Sequence, residues 1–154
     1  YGKSKGKRSE ESFYSDADFI YKKLLEKYDE KSIIVYGRSI GTGIATYVAA
    51  NNRPQRLILE SPFYNFPDLV RHILPVVPGF LVKYKFPIHQ MLETINSPVS
   101  DIHGDQDEVI YVGSSYKLEN SLPPGSSFLI VEGGHHNDLL LFETYRDEIP
   151  RLLR

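Results

Sequence analysis

Cysteine and tryptophan are both absent from this chain of 154 residues. The lack of cysteine excludes disulfide bonds, zinc–thiolate sites and a thiol nucleophile, and it leaves the redox compartment undetermined. No apolar run approaches the roughly 20 residues of a membrane-spanning helix, and no signal peptide is recognisable. We therefore expect a cytoplasmic location and no membrane segment in this chain, while an anchor upstream of Tyr1 stays open.

Neither sign of charge dominates, because 18 basic and 20 acidic residues give a formal net charge of −2. This balance offers no global electrostatic case for binding nucleic acid or an anionic membrane. With 41% hydrophobic and 25% charged residues, the composition is that of one ordinary globular domain, which we place over residues 1–154. A chain of this length can bury a substantial core.

Apolar runs alternate with helical patterns along the chain. Amphipathic stretches predict helices at 10–29, from 41 to about 51, at 112–120 and at 138–149. Strands that alternate with helices indicate an α/β domain with a parallel sheet. The four predicted strands are residues 33–36, 57–59, 98–103 and 127–131.

A Gly-x-Ser-x-Gly motif, Gly37-Arg-Ser-Ile-Gly41, joins the first strand to the helix that follows it. This position favours a nucleophile elbow, in which a serine takes a strained backbone conformation and small residues two positions away let the neighbouring backbone pass. A phosphate-binding loop would need a lysine that this segment lacks, and a dinucleotide fingerprint would have its third glycine where Thr46 stands. A helix-capping serine in an ordinary strand–helix turn is the remaining alternative.

Candidate chemical groups follow three of the predicted strands. Ser39 comes after the first strand, Asp107 after the third and His136 after the fourth. The carboxyl ends of parallel strands meet at one edge of a sheet, so we expect these groups to lie near one another. A seryl hydroxyl needs a base within hydrogen-bond reach and a carboxylate that orients this base, and these three residue types supply both.

The chain resembles the α/β-hydrolase superfamily, in the branch of small-lid serine esterases and acyl-protein thioesterase-like (depalmitoylase-like) enzymes. The order serine, aspartate, histidine is that of the triad in this family. The resemblance covers essentially the whole chain and implies an α/β-hydrolase-type sheet flanked by helices. The motifs that carry it are Tyr-Gly-Arg-Ser-Ile-Gly-Thr-Gly at 36–43, Leu-Glu-Ser-Pro-Phe at 59–63, His-Gly-Asp-Gln-Asp-Glu-Val-Ile at 103–110 and Val-Glu-Gly-Gly-His-His-Asn-Asp at 131–138.

The resemblance implies a role for each of the three candidate groups. Ser39 takes the nucleophile position, Asp107 takes the acid position, and His136, which precedes Asn-Asp, takes the base position. Asp105 is the near alternative to Asp107, and His135 is the near alternative to His136. The remaining histidines are expected to have surface or packing roles: His72, His89 and His103.

The function implied by the resemblance is a serine hydrolase that cleaves carboxylic esters or thioesters through an acyl-enzyme. Its substrate would be a small molecule or an acylated protein, and neither a metal nor an organic cofactor is needed. The backbone N–H of Ile40 would be one oxyanion donor. The family pattern also implies that roughly the first third of the fold, with the second oxyanion donor, precedes residue 1. A catalytically silent binding module and a serine peptidase with the same triad are the alternative functions.

Ser100 and Asp101 lie inside the third predicted strand, at positions where the resembled family is normally apolar. An ionised Asp101 within a covered parallel sheet would need a partner or a raised pKa. A partly hydrated sheet face and an additional acid are the two interpretations, and the sequence leaves both open.

Residues 63–97 are rich in proline and aromatic residues and lie where hydrolases place a cap. One interpretation is that four aromatic side chains of this segment line an acyl or aryl pocket. The other is that they form the ordinary core of a short helical excursion. These side chains are Phe63, Tyr64, Phe66 and Phe80.

Overall fold

A parallel sheet of four strands forms the centre of the computed structural model, which describes Gly6 and residues 9–154. The strands lie side by side in chain order, and every pairing is parallel, as predicted. Their carboxyl ends therefore lie at one edge of the sheet. The strands are β1 (Ile34–Arg38), β2 (Arg56–Glu60), β3 (Val99–Gly104) and β4 (Ser127–Val131).

Helices connect the strands, and most begin where the sequence predicts them. The first helix ends four residues earlier than predicted, at Leu25, and it begins with a capping box in which Ser9 and Ser12 bond each other's backbone N–H. The α-helices of the described residues are α1 (Glu10–Leu25), α2 (Gly41–Asn51), α3 (Phe66–Ile73), α4 (Ile88–Leu92), α5 (Gly113–Leu118) and α6 (Glu143–Leu152).

The terminal helix differs from the prediction of one helix at 138–149. The structure has a 3₁₀ turn at Leu139–Leu141, and α6 follows only after Phe142, whose backbone is extended (φ −91°, ψ 134°). Leu139 packs into the core, whereas Leu140 and Leu141 are exposed. The apolar residues of this stretch therefore belong to two elements with different orientations, and their spacing imitates one helical face.

Hydrophobic clusters cover both faces of the sheet. Side chains alternate along a strand, so Leu57 and Leu59 pack with residues of α2 and α4, whereas Ile58 packs on the opposite face with residues of α6. These three side chains, at the centre of β2, are 0% exposed. Such complete burial is typical of a strand inside a parallel sheet that is covered on both sides.

The segment at 63–97 contains α3, a 3₁₀ turn at Gly79–Leu81 and α4. Phe63 and Phe86 fix its base in the core, with their ring centroids 6.2 Å apart in an edge-to-face arrangement. Glu10 of α1 accepts hydrogen bonds from the backbone N–H groups of Lys85 (2.7 Å) and Phe86 (3.1 Å). The base of the segment is therefore held by both packing and hydrogen bonds.

The two glycines of the Gly-x-Ser-x-Gly motif have different surroundings. A Cβ atom at Gly37 would lie 2.6 Å from Ala45 Cβ and 2.7 Å from a backbone oxygen, so only glycine fits where β1 passes the start of α2. A Cβ atom at Gly41 would meet nothing within 4 Å. The expected close passage of the backbone is therefore found at Gly37 and not at Gly41.

We predict that Gly37→Ala lowers the free energy of unfolding by about 1–3 kcal/mol, because the added methyl group must displace backbone. Gly41→Ala is the matched control: its methyl group has room, and alanine is the better helix former by roughly 0.5–1 kcal/mol. Urea denaturation of the two variants measures the difference. Equal stability of the two variants would contradict the close packing at Gly37.

Candidate active site

Three side chains follow the carboxyl ends of β1, β3 and β4. These are Ser39, Asp107 and His136, and they stand at the edge of the sheet where ligand chemistry gathers in open α/β folds. Asp107 and His136 are buried, and Ser39 is partly exposed. The sheet therefore brings the predicted candidates to the same edge.

Ser39 has the strained backbone of a nucleophile elbow. Its φ angle is +52°, in the left-handed region, which costs a non-glycine residue about 1–3 kcal/mol. The surrounding hydrogen bonds hold this conformation: the Ser39 N–H donates to the Glu60 carbonyl (2.9 Å), and the Ser39 carbonyl accepts from the Thr42 N–H (3.0 Å) and hydroxyl (2.6 Å). Ile40 follows at the turn into α2, and its side chain is half exposed.

The Asp107 carboxylate and the His136 imidazole form a buried pair. Asp107 Oδ2 lies 2.8 Å from His136 Nδ1. Because an ionised carboxylate only accepts hydrogen bonds, Nδ1 carries the hydrogen, and Nε2 is the nitrogen that can act as a base. Asp107 Oδ1 accepts the backbone N–H groups of Val109 (2.9 Å) and Ile110 (2.8 Å).

The charge of Asp107 is stabilised by its donors. Burial raises the pKa of its carboxyl, but hydrogen bonds from His103, from His136 and from two backbone N–H groups outweigh burial and hold the pKa well below its ordinary value. Asp107 therefore stays ionised over the whole range in which an imidazole titrates.

Ser39 and His136 are connected through Arg38 and not through a direct hydrogen bond. No hydrogen bond joins their side chains among the residues that the structure describes. Arg38, which precedes Ser39, donates from Nη2 to the His136 carbonyl and to Asn137 Oδ1 (2.8 Å). The elbow and the histidine loop are thus in contact through Arg38. A hydrogen bond between a catalytic serine and its histidine is often long or poorly aligned when no substrate is bound.

Arg38 is itself held by a buried carboxylate that the sequence analysis did not single out. Its Nε lies 2.8 Å from Glu60 Oε1. The other oxygen, Oε2, accepts hydrogen bonds from the hydroxyls of Tyr36 and Tyr145. Burial and the hydrogen bond to Glu60 raise the pKa of Tyr145 to about 12, so this phenol stays protonated. The position of Glu60 at the end of β2 was the signal in the sequence, since its strand neighbour Arg38 ends β1.

The two near alternatives have other partners. His135 is exposed, and its Nδ1 lies 3.1 Å from Glu108 Oε2. Asp105 Oδ1 accepts the backbone N–H of Gly133 (2.7 Å), which connects the loops that follow β3 and β4. Among the described residues, neither side chain forms a hydrogen bond or an ion pair with the side chain of Asp107 or His136.

The four aromatic residues of the segment at 63–97 have different surroundings in the described structure. Phe63 is a core residue at 0% exposure, and Phe66 packs against it edge to face. Tyr64 stacks on His89, and Phe80 is 80% exposed. The first three belong to the hydrophobic cluster that also contains Leu57 and Leu59 of β2, and a pocket formed by all four stays a prediction.

Comparison with known proteins identifies the family of the chain. A family model described as the alpha/beta hydrolase fold matches residues 1–93. The chain belongs to the alpha/beta hydrolase family. The family predicted from the sequence is thereby confirmed.

Relatives of this chain include proteins named for the same fold. Alpha/beta hydrolase domain-containing protein 17C of Mus musculus is 32% identical over 155 residues, which cover 99% of this chain and 48% of the mouse protein. Alpha/beta hydrolase domain-containing protein 17B of Xenopus laevis is also 32% identical, over 99% of this chain and 53% of that protein. The chain therefore spans about half the length of these relatives.

Solved structures of distant sequence share the fold. An alpha-beta serine hydrolase homologue from Coxiella burnetii has a TM-score of 0.71 at 21% identity, over 99% of this chain and 64% of that one. A monoacylglycerol lipase from Paleococcus ferrophilus has a TM-score of 0.69 at 16% identity, over 99% of this chain and 79% of that one. At identities this low, the similarity shows only that the chain shares the fold of these proteins.

The described residues include no group of three or more histidine, aspartate and glutamate side chains that could hold a metal ion. Among the same residues, no helix combines the length and the apolar character needed to cross a membrane.

Asp101 belongs to a buried chain of hydrogen bonds that leads through Ser115 and His103 towards Asp107. Its Oδ1 lies 2.8 Å from Ser115 Oγ, which lies 2.7 Å from His103 Nδ1. His103 Nε2 donates to the Ile110 carbonyl (2.7 Å) and lies 3.4 Å from Asp107 Oδ2. Asp101 is 1% exposed, so its side chain does not face bulk solvent. His103 has the expected packing role, and it also contacts the candidate acid.

Asp101 is an uncommon group for the middle of a parallel sheet. Burial raises the pKa of its carboxyl to about 7 from an ordinary value of 3.8, although the Ser115 hydrogen bond and the nearby His103 oppose the rise, while Glu119 adds to it. Its second oxygen, Oδ2, has no hydrogen-bond partner among the described residues.

We predict that Asp101→Asn flattens the dependence of stability on pH. A carboxyl whose pKa is raised in the folded state stabilises the fold fully below pH 3.8, and this stabilisation is lost as the pH rises through about 7. The loss for the wild type is up to roughly 4 kcal/mol between these values. Denaturation of both proteins at intervals across this pH range measures the slope.

The control for this prediction is Asp147→Asn, which removes one exposed carboxylate from α6. This control should keep the slope of the wild type. An Asp101→Asn protein with the wild-type slope would show that Asp101 ionises as freely in the folded chain as in the unfolded one.

Proposed function

We propose that this chain carries the nucleophile, base and acid of a serine hydrolase that cleaves carboxylic esters or thioesters. The observation that carries the proposal is the 2.8 Å contact between Asp107 and His136, beside a serine with a φ angle of +52°. A strained serine, a buried imidazole and a carboxylate with a lowered pKa form the combination that acyl transfer requires. The strained backbone of Ser39 costs the fold about 1–3 kcal/mol, and strongly perturbed ionisable groups tend to gather at functional sites.

The reaction proposed here proceeds in two halves. His136 Nε2 removes the proton of the Ser39 hydroxyl as its oxygen attacks the carbonyl carbon, and the backbone N–H of Ile40 donates to the oxyanion. The C–O or C–S bond then breaks, and the imidazolium gives its proton to the leaving alcohol or thiol. Water activated by the same imidazole hydrolyses the acyl-enzyme and regenerates Ser39. Asp107 keeps the ring of His136 oriented and stabilises its charged form.

The substrate class in this proposal is an ester or thioester of a small molecule or of an acylated protein. The support is the resemblance of the sequence motifs to small-lid esterases and acyl-protein thioesterases, together with the absence of a large domain over the edge of the sheet within the described residues. The mechanism uses no metal and no organic cofactor. Since the chain spans about half of its relatives, the activity of the whole protein is part of the proposal.

A fluorophosphonate probe tests the nucleophile directly. We expect the probe to label the purified protein covalently at Ser39 and not to label Ser39→Ala, because the alanine lacks the attacking oxygen. Gel fluorescence and peptide mass spectrometry measure the modification. Ser61, a buried serine that also has a positive φ angle, provides the control variant Ser61→Ala, which should still be labelled. Labelling that persists in Ser39→Ala would overturn the assignment.

The adjacent histidines form a matched pair for testing the base. We expect His136→Gln to lower kcat for a p-nitrophenyl ester by about 10³-fold or more, because the nucleophile loses its proton acceptor. His135→Gln removes an exposed ring that contacts Glu108, and it should change kcat by about twofold or less. The reverse order of effects would assign the base to His135.

A catalytically silent binding module is the second candidate function. The observation that favours it is the absence of a hydrogen bond between the Ser39 and His136 side chains in the described residues. Probe labelling separates the two functions, since a silent module leaves the probe unreacted in the full-length protein.

A serine peptidase is distinguished by substrate choice: turnover of an aminoacyl anilide above that of p-nitrophenyl and thioester substrates would overturn the esterase proposal.

A further inference from the structure

Residues 73–81, which we call the cap tip, expose an unusual number of large apolar side chains. Ile73 is 58% exposed, Leu74 53%, Val76 89%, Phe80 80% and Leu81 65%. Single exposed apolar residues are ordinary on protein surfaces. Five within nine residues concentrate exposed apolar area in one short segment, and such a concentration is typical of an interaction site.

The backbone of the cap tip is ordered although its side chains are not buried. The Leu74 N–H donates to the Val70 carbonyl (2.7 Å), and the Val77 N–H donates to the Leu74 carbonyl (3.0 Å). Lys85 Nζ donates to the Gly79 carbonyl (3.1 Å), which fastens the 3₁₀ turn to the base of the segment. Since these bonds hold the turn, its apolar side chains face solvent in a fixed arrangement.

The charge around the cap tip has one sign. No aspartate or glutamate occurs from residue 69 to residue 92, although the chain has 20 acidic residues. Arg71, Lys83 and Lys85 flank the tip on both sides, and a Cβ atom at Gly79 would lie 3.6 Å from Arg71 Nη2. The nearest acids are engaged at the base: Glu10 binds the backbone of Lys85, and Asp68 pairs with Lys117. The charged residues of the stretch 69–92 are therefore all basic, while the net charge of the chain is −2.

We propose that the cap tip docks onto an anionic lipid bilayer. The apolar side chains of the tip insert at the level of the headgroups, and the basic residues around it lie against anionic headgroups. The size of the surface favours a bilayer over a protein partner. A stable protein interface buries about 800 Å² and roughly 20 or more residues on each side, whereas five convex side chains suffice for interfacial insertion.

The tip is connected to the edge of the sheet that carries the candidate site. His72 of α3 stacks on Tyr111, with ring centroids 3.9 Å apart, and the Tyr111 hydroxyl donates to Asp68 (2.5 Å). Tyr111 follows the loop that holds Asp107. A bilayer bound at the tip would therefore lie near the candidate site, but the docking itself does not depend on Ser39 acting as a nucleophile.

Tryptophan fluorescence tests the proposal, because the chain has no tryptophan of its own. Phe80→Trp places one reporter in the tip, where the phenylalanine is 80% exposed, and Phe19→Trp places it at a phenylalanine of α1 that is 64% exposed. The probes are vesicles of phosphatidylcholine with or without about 30% phosphatidylserine. We expect a blue shift of the Phe80→Trp emission with the anionic vesicles and no shift for Phe19→Trp.

Sedimentation with the same vesicles measures binding without a reporter. Val76→Asp with Phe80→Asp should weaken binding about tenfold or more, because two inserted side chains become charged, while Phe19→Asp should bind as the wild type does. Arg71→Glu with Lys83→Glu should abolish the preference for anionic vesicles. These positions are exposed, so circular dichroism should show an unchanged fold.

Several outcomes would overturn the proposal. Wild-type protein that sediments with neither kind of vesicle has no bilayer surface. Equal binding by the tip variant and the wild type would place the lipid contact elsewhere on the chain. Self-association that disappears in the tip variant, without vesicle binding, would assign the surface to a protein contact instead. None of these results depends on the labelling of Ser39, so the docking and the proposed hydrolase activity fail or stand separately.

Discussion

The buried carboxylate of Asp107 is the constraint on which the arrangement of the candidate site depends. A carboxylate removed from water destabilises the fold unless its oxygens accept hydrogen bonds. Here Oδ1 accepts hydrogen bonds from two backbone N–H groups of the Asp107 loop. The other oxygen, Oδ2, accepts a hydrogen bond from His136, which belongs to the loop after β4. Satisfying one charge therefore fixes two loops, and it determines both the tautomer and the ring orientation of the histidine.

A second buried carboxylate, Glu60, connects the remaining loop to these two. Arg38 lies between the Glu60 carboxylate and the backbone carbonyl of His136, and the Glu60 carbonyl accepts the N–H of Ser39. His136 is thus held at two points, its ring by Asp107 and its backbone by Arg38. Because Arg38 also precedes the strained serine, a shift of the histidine loop and a shift of the elbow are coupled through one guanidinium group.

The parts of this structure that could be predicted from the sequence are those with a local signal. The strands follow from short apolar runs, and the strained backbone of Ser39 follows from glycines at fixed spacing. The contact between Arg38 and His136 joins residues 98 positions apart, and no periodicity announces it. Asp101 was recognised as out of place in a strand, but its partner Ser115 lies on a different element. The break at Phe142 was missed because two elements share the spacing of one helical face.

The segment at 63–97 combines a fixed base with the apolar cap tip, and this combination is easier to explain at a lipid surface than in bulk water. Phe86 is buried at the base, whereas Phe80, six positions earlier, is 80% exposed although the turn that carries it is hydrogen-bonded. One exposed phenylalanine is ordinary on a protein surface, but five exposed large apolar side chains within residues 73–81 are typical of an interaction surface. Acyl esters and thioesters place their carbonyl groups where apolar chains meet water. A bilayer bound at the tip would bring that boundary to the edge of the sheet where Ser39 and His136 stand. The substrate class and the docking surface, argued from different residues, thus point to the same interface.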